Sequence, residues 1–217
     1  VFLALHVSAL LALQRGGTAR FGFAVAPMMA LRGWVGLPLL AGAMSRPRAV
    51  IAALGATVAL LLLSVPWVGV DAWVWFFQTH LGEMAASPWA GTPAYQTLRS
   101  LLLHLTTADP HWGPDPPIPV PGLGQALFIG AAMALAGGGL WLTRRAGPAG
   151  LVTALGLWTA LELLLAPVAE GYHFVLAALP AATALGRGRT SERVLVLLAL
   201  PLLLLDLPYQ DPSLWGG

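Results

Sequence analysis

The sequence predicts an all-α, polytopic membrane protein, and three observations carry that prediction. Of the 217 residues 58% are hydrophobic and 9% charged, against roughly 45–50% and about 25% in soluble domains, and the mean hydropathy is +0.77. Residues 49–70 and 122–143 are unbroken apolar runs, each long enough for a helix that needs about 20 residues to cross a bilayer. All 11 basic residues are arginines, and nine of them fall in four clusters between apolar segments: 15 and 20; 46 and 48; 144 and 145; 187, 189 and 193. The net charge of +2 does not point to nucleic acid, because no polar face exists on which a basic patch could form. Cysteine is absent, which removes disulfides and thiolate metal sites.

The elements follow in order. Residues 1–14 are apolar and short of a full span, and Val1 opens inside that run, so we read it as the tail of a truncated helix and the chain as an N-terminally truncated piece. Residues 21–43 are apolar but broken at Arg32-Gly33. The spans 49–70 and 122–143 flank a wet stretch, 71–121. After Arg144-Arg145 come 149–168, a polar break at Glu170-Gly171, 172–186, the last arginine cluster, 194–207 and a polar tail at 208–217. Residues 1–217 thus read as a single membrane domain, with membrane helices in 1–70 and 122–207, an extracytoplasmic loop at 71–121 and a tail at 208–217.

Short loops rich in arginine are retained on the cytoplasmic side. All four clusters share that side only if 21–43 enters and leaves by the same face, as two half-length helices joined near Arg32-Gly33 would; the length also fits one tilted span. The wet stretch, Glu170 to His173 and the tail then lie on the far face. Within the wet stretch, Asp71 is placed to cap a helix carrying Trp73, Phe76, Phe77 and Met84, and Thr92-Pro93 is a helix-start signal. Leu98, Leu101, Leu102 and Leu105 follow i, i+3, i+4, i+7 spacing with Gln96, Arg99 and Ser100 on the other side, the pattern of an amphipathic helix at the bilayer surface. Five of the nine tryptophans (67, 73, 75, 89 and 112) sit in or just before this stretch, as an interfacial belt would. The segment 109–119 is proline-rich and extended.

Arg99 lies on the arginine-poor face. It either binds a phosphate bidentately or snorkels to lipid headgroups. Arg32 stands within an apolar run, where a charge costs about 2.5–3.5 kcal/mol and marks a site, a cavity or an ion pair. Glu162 is read as a polar contact between helices. Glu170 and His173 share one helical face as an acid/base or substrate-orienting pair, or as an interfacial hydrogen bond. His6 has no recognisable partner in sequence and reads as a packed polar residue. No phosphate loop, nucleophile elbow, zinc motif or dinucleotide fingerprint occurs.

Three places resemble the membrane mannosyltransferases of glycosyltransferase family 87. Tyr95-Gln96-Thr97-Leu98 before Arg99 is similar to that family's Asn-Gln-Ser-Leu segment followed by arginine, with Tyr for Asn and Thr for Ser. Ala166-Pro167 leading through Glu170, Tyr172 and His173 to Pro180 resembles a late Ser-Pro and histidine motif, with Tyr172 at the first of two histidine positions. Arg32, Leu37-Pro38 and Arg46 to Arg48 resemble a cytoplasm-proximal lysine, proline and basic cluster, although Val35 replaces a usual proline. The resemblance implies a GT-C-like helical bundle in the bacterial inner or plasma membrane. It also implies inverting transfer of a mannosyl or related hexosyl group from a polyprenyl-phosphate donor to a lipid or glycan acceptor on the extracytoplasmic face. The substrate-binding set is then Arg99, His173, Gln96, Glu170, Tyr172 and Arg32, with no metal and no cofactor besides the donor. The family's aspartate base belongs to an upstream loop absent here, so no activity is expected of this piece alone. The alternative is a transporter or channel segment in which Arg32, Glu162 and Asp206 line a path.

Overall fold

The structure is a computed structural model that describes residues 2–31, 33–80, 82–83, 97–110, 113–147, 150–166, 176–187, 189–191 and 193–197. Among these residues the regular elements are helices, joined by one isolated bridge between Asp109 and Gly113. Two helices are long and apolar enough to cross a membrane, Pro47–Val68 and Leu123–Ala146. They coincide with the two unbroken runs in the sequence and support a membrane location. The chain divides into two compact units, Val1–Ser87 with Leu135–Glu162, and Pro88–Ala134 with Leu163–Gly217.

In the first unit, α1 (Phe2–Gln14) ends at a turn whose Gly16 has φ +71°, a conformation that only glycine adopts without strain. Helix α2 (Thr18–Leu31) follows, and α3 (Gly33–Gly42) turns back along it. The reversal is fixed by one contact: a Cβ on Gly36 would lie 3.0 Å from the backbone nitrogen of Met29, whereas seven residues of continuous helix separate two positions by about 10 Å. Residues 18–42 therefore form a helical hairpin, with the break at Arg32-Gly33 that the sequence marks. Arg32 itself lies outside the described residues.

Helix α4 (Pro47–Val68) starts with Pro47 in its first turn, where the missing N–H costs nothing. It packs on α2 through a stripe of small residues, Ala49, Ala53 and Thr57, all buried. Gly22 lets the two backbones meet, since a Cβ there would fall 2.7 Å from the Ala52 carbonyl oxygen. Small residues that allow close backbone approach are the means by which helices associate in lipid, where apolar surface gains nothing from leaving the solvent. Around this seam Phe21, Val25, Met28, Leu39 and Leu155 are fully buried. The outer face of α4 is apolar and open, with Ile51 69% and Trp67 82% exposed, which in water would be a large liability and in a bilayer is the lipid-facing side.

Helix α5 (Val70–Trp75) bends off α4 at Gly69, φ +85°, and continues as a π-helical turn, Phe76–His80. Gly69, not Asp71, stands at the N-cap; Asp71 sits in the first turn, where its charge still complements the helix dipole. The Trp73 indole N–H donates to Ser64 Oγ at 3.1 Å. The Trp73 ring lies edge-on to Phe76 and stacked on Phe77, both at 5.9 Å between centroids, so these three rings of the expected common face cluster together; Met84 lies outside the described residues.

In the second unit, α6 (Leu98–Thr106) precedes α7 (Leu123–Ala146), whose second half belongs to the first unit with most of α8 (Leu151–Leu165). There Gly139 and Thr143 seat Trp158, whose indole N–H donates to Thr143 Oγ1 at 2.9 Å. Hydroxyls inside helices bond to the carbonyl one turn back, Thr57 to Ala53, Thr106 to Leu102 and Thr159 to Leu155, which satisfies them without water. Helix α9 (Ala178–Arg187) is the last element with described bounds.

The pairing Gly42–Leu155 sets the start of α8 beside the end of α3, and the α2–α3 reversal returns the chain to where α2 began. One end of the first unit thus collects the turns and helix ends that carry Arg15, Arg20, Arg46, Arg48, Arg144 and Arg145, while Asp71 follows the far end of α4.

Candidate functional site

The site residue that the structure describes is Arg99, in the first turn of α6. The helix is started by a reciprocal capping box: Thr97, in extended conformation, accepts the Ser100 N–H on Oγ1 at 3.2 Å, and Ser100 Oγ accepts the Thr97 N–H at 3.1 Å. Two backbone donors at the helix start are thereby satisfied. Arg99 sits between the two capping residues, so the box fixes its backbone.

The position of α6 is set by α7. A Cβ on Gly124 would meet Thr106 Oγ1 and lie 2.7 Å from the Leu102 carbonyl oxygen, so glycine allows the last turn of α6 to rest on the first turn of α7. The loop between them is tied down as well. Asp109 and Gly113 exchange backbone hydrogen bonds of 2.8 and 2.9 Å, and the Ile118 N–H donates to the Leu105 carbonyl at 3.0 Å. This docking places Gln125 beside Arg99, whose Nε donates to Gln125 Oε1 at 3.4 Å. Burial lowers the Arg99 pKa from its ordinary value, yet arginine titrates so high that it keeps its charge.

Ser100 and Thr106 are buried while Leu101 is 54% exposed. The small polar side is the one packed on protein, while of the expected leucine face Leu101 is open and Leu98, Leu102 and Leu105 are half-buried. An amphipathic helix at a bilayer surface has this orientation. Arg99 also stands against the helix dipole, which favours anions in a first turn and disfavours cations by a few tenths of a kcal/mol to about 1 kcal/mol. Its place is not explained by helix stability.

Gln125 was not singled out in the sequence; a polar residue in the first turn of a spanning helix was its only signal. Gln96, Glu170, Tyr172, His173, Arg32 and Asp206 lie outside the described residues, as does Thr92-Pro93.

Glu162 and His6 meet. His6 Nε2 lies 3.2 Å from Glu162 Oε2, with side chains 0% and 3% exposed, and His6 Nδ1 lies 2.9 Å from the Phe2 carbonyl. The reading of His6 as a residue without a partner is corrected: its partner is 156 positions away in sequence. Because the Phe2 carbonyl can only accept, Nδ1 carries a hydrogen, and one proton lies between Nε2 and the carboxyl. The pair joins α1 to α8 as a closed polar contact.

Comparison with protein-family models, with curated proteins and with solved structures found no match for this chain.

Proposed function

We propose that this chain is the donor-binding part of a membrane glycosyltransferase resembling glycosyltransferase family 87, with a GT-C-like bundle in a cell membrane that its helices cross several times. In this reading it transfers a mannosyl or related hexosyl group from a polyprenyl-phosphate donor to a lipid or glycan acceptor on the extracytoplasmic face. The observation that supports it is Arg99, a half-buried cation in the first turn of an amphipathic helix, held by a capping box and by Gln125.

As the bond between the sugar's anomeric carbon and the donor phosphate breaks, its electron pair stays on the phosphate oxygen. A fixed guanidinium stabilises that charge most where water is scarce. Helix-start dipole and guanidinium then act on one anion, which turns an unfavourable pairing into a favourable one. The acceptor hydroxyl attacks the opposite face of the sugar, which inverts the anomeric carbon, and its proton passes to an acidic base. His173 joins Arg99 on the phosphate, Gln96, Glu170 and Tyr172 orient sugar or partner groups, and Arg32 supports the core. The transport reading, with Arg32, Glu162 and Asp206 along a path, has less support because Glu162 is closed on His6.

The test is binding of a short polyprenyl phosphate to the chain in detergent, followed by tryptophan fluorescence. Arg99→Ala is expected to weaken binding about 10- to 150-fold, the range for one charge-assisted hydrogen-bond set of about 1.5–3 kcal/mol. In the full-length protein it is expected to abolish transfer. Unchanged affinity would return Arg99 to a lipid-snorkelling role.

A further inference from the structure

The arginine-bearing end of the first unit contains a cleft of about 630 Å³ lined by Ser8, Leu11, Arg15, Thr18 and Arg20 along with the Gly16-Gly17 turn. It lies between α1 and α2 and is separate from Arg99. Ser8, Leu11 and Arg15 follow i, i+3, i+7 spacing, so they form one stripe about 10 Å long on α1. Leu11 supplies apolar surface, Ser8 a hydroxyl and Arg15 a guanidinium to the same lining. Arg20 supplies a second cation from α2. Neither arginine is paired with a carboxylate among the described residues, and both are exposed. The apolar surface continues away from the cleft, since Val7 and Leu11 on α1 and Phe23 on α2 are exposed.

From this arrangement we infer that the cleft binds the headgroup of an anionic phospholipid in the arginine-rich leaflet. The two guanidiniums take the phosphate, and the acyl chains follow the apolar stripe of α1 and the open face of α2. A free anion would use the cations alone, whereas the cleft joins cations to a hydrophobic wall, which is the polarity of a lipid at the headgroup boundary. Arg46, Arg48, Arg144 and Arg145 at the same end draw anionic lipid towards it. The inference needs only a membrane location and is independent of the glycosyltransferase reading.

The experiment is native mass spectrometry of the full chain released from detergent micelles containing phosphatidylglycerol or phosphatidylcholine. The chain is expected to retain one phosphatidylglycerol in preference to phosphatidylcholine. The double variant Arg15→Gln/Arg20→Gln is expected to lose about 30-fold in phosphatidylglycerol affinity, two contacts at the roughly fivefold that one basic residue supplies at an anionic surface, with phosphatidylcholine binding unchanged. Arg15→Lys/Arg20→Lys keeps both charges and is expected to restore most of the affinity, which separates lost binding from lost folding. Arg144→Gln/Arg145→Gln lies outside the cleft and is expected to lose far less. An equal loss in the two glutamine variants would overturn the inference, because a diffuse basic rim would then account for retention. So would equal retention of the two lipids, or displacement of phosphatidylglycerol by millimolar inorganic phosphate.

Discussion

Gly22→Ala tests the seam on which the first unit is built. The added Cβ would lie 2.7 Å from the Ala52 carbonyl oxygen and 2.9 Å from its carbon, whereas ordinary contact begins at 3.4 Å. A backbone carbonyl within a helix cannot swing aside, so α2 and α4 must separate by about 0.7 Å. A gap of that size forfeits roughly a quarter to a half of each dispersion contact across the seam, and overpacking of this kind costs about 1–3 kcal/mol. Because α2 and α4 form the most extensive helix pair among the described residues, we expect about 2–3 kcal/mol. At about 2–4 °C per kcal/mol for a chain of this size, thermal unfolding in detergent should shift down by about 4–12 °C. Gly55→Ala, on α4 but with nothing within 4 Å of its added Cβ, is the control. Alanine is the better helix former by about 0.8–1.0 kcal/mol, so that variant should be unchanged or slightly stabilised. Equal shifts for the two variants would refute the packing argument.

The remaining predictions concern other contacts. His6→Ala leaves the Glu162 carboxyl buried without its partner and should cost about 3 kcal/mol in the same assay, whereas Glu162→Gln retains a donor to Nε2 and should stay within about 1 kcal/mol. Thr97→Ala removes half of the capping box and should cost about 1 kcal/mol, with faster hydrogen exchange confined to the first turn of α6. Trp158→Phe removes the bond to Thr143 and should cost about 1 kcal/mol, visible as a lower unfolding midpoint. The chain has no native cysteine, so Met44→Cys and Asp115→Cys, both at exposed positions, can be labelled singly in sealed vesicles; an impermeant maleimide should reach the two from opposite sides, and same-side labelling would overturn the proposed topology.

The two long spans were readable because an unbroken apolar run needs no knowledge of its neighbours. The interruption between Leu31 and Gly33 coincides with a cation and a glycine that are costly within an apolar run, although the sequence alone left one tilted span open. Contacts between distant segments were not readable. Nothing near His6 announces Glu162, and nothing near Arg99 announces Gln125, since each pair is made by helices that meet only in the folded chain, the second where Gly124 allows close approach. Helix α6 shows a different limit. Its leucine spacing was legible, but not that Ser100 and Thr106 would be its buried positions while Leu101 stays open, because that depends on Gly124 letting the last turn of α6 rest on α7. The other residues of the proposed donor site, Gln96, Glu170, Tyr172, His173 and Arg32, lie outside the described segments, so Arg99 alone carries that site's geometry.

The α2–α3 hairpin has a consequence for how the protein is assembled. At 14 and 10 residues its arms are about 21 and 15 Å long, short of the roughly 30 Å hydrocarbon core. The bilayer alone would hold neither arm. Helix α4 is long enough to be retained by hydrophobicity, and the hairpin must then be kept at its depth by packing against α4. Insertion and folding are therefore not separable stages for this segment. A lesion at the Gly22 seam would loosen more than a core: it would free two arms too short to span a hydrocarbon layer by themselves.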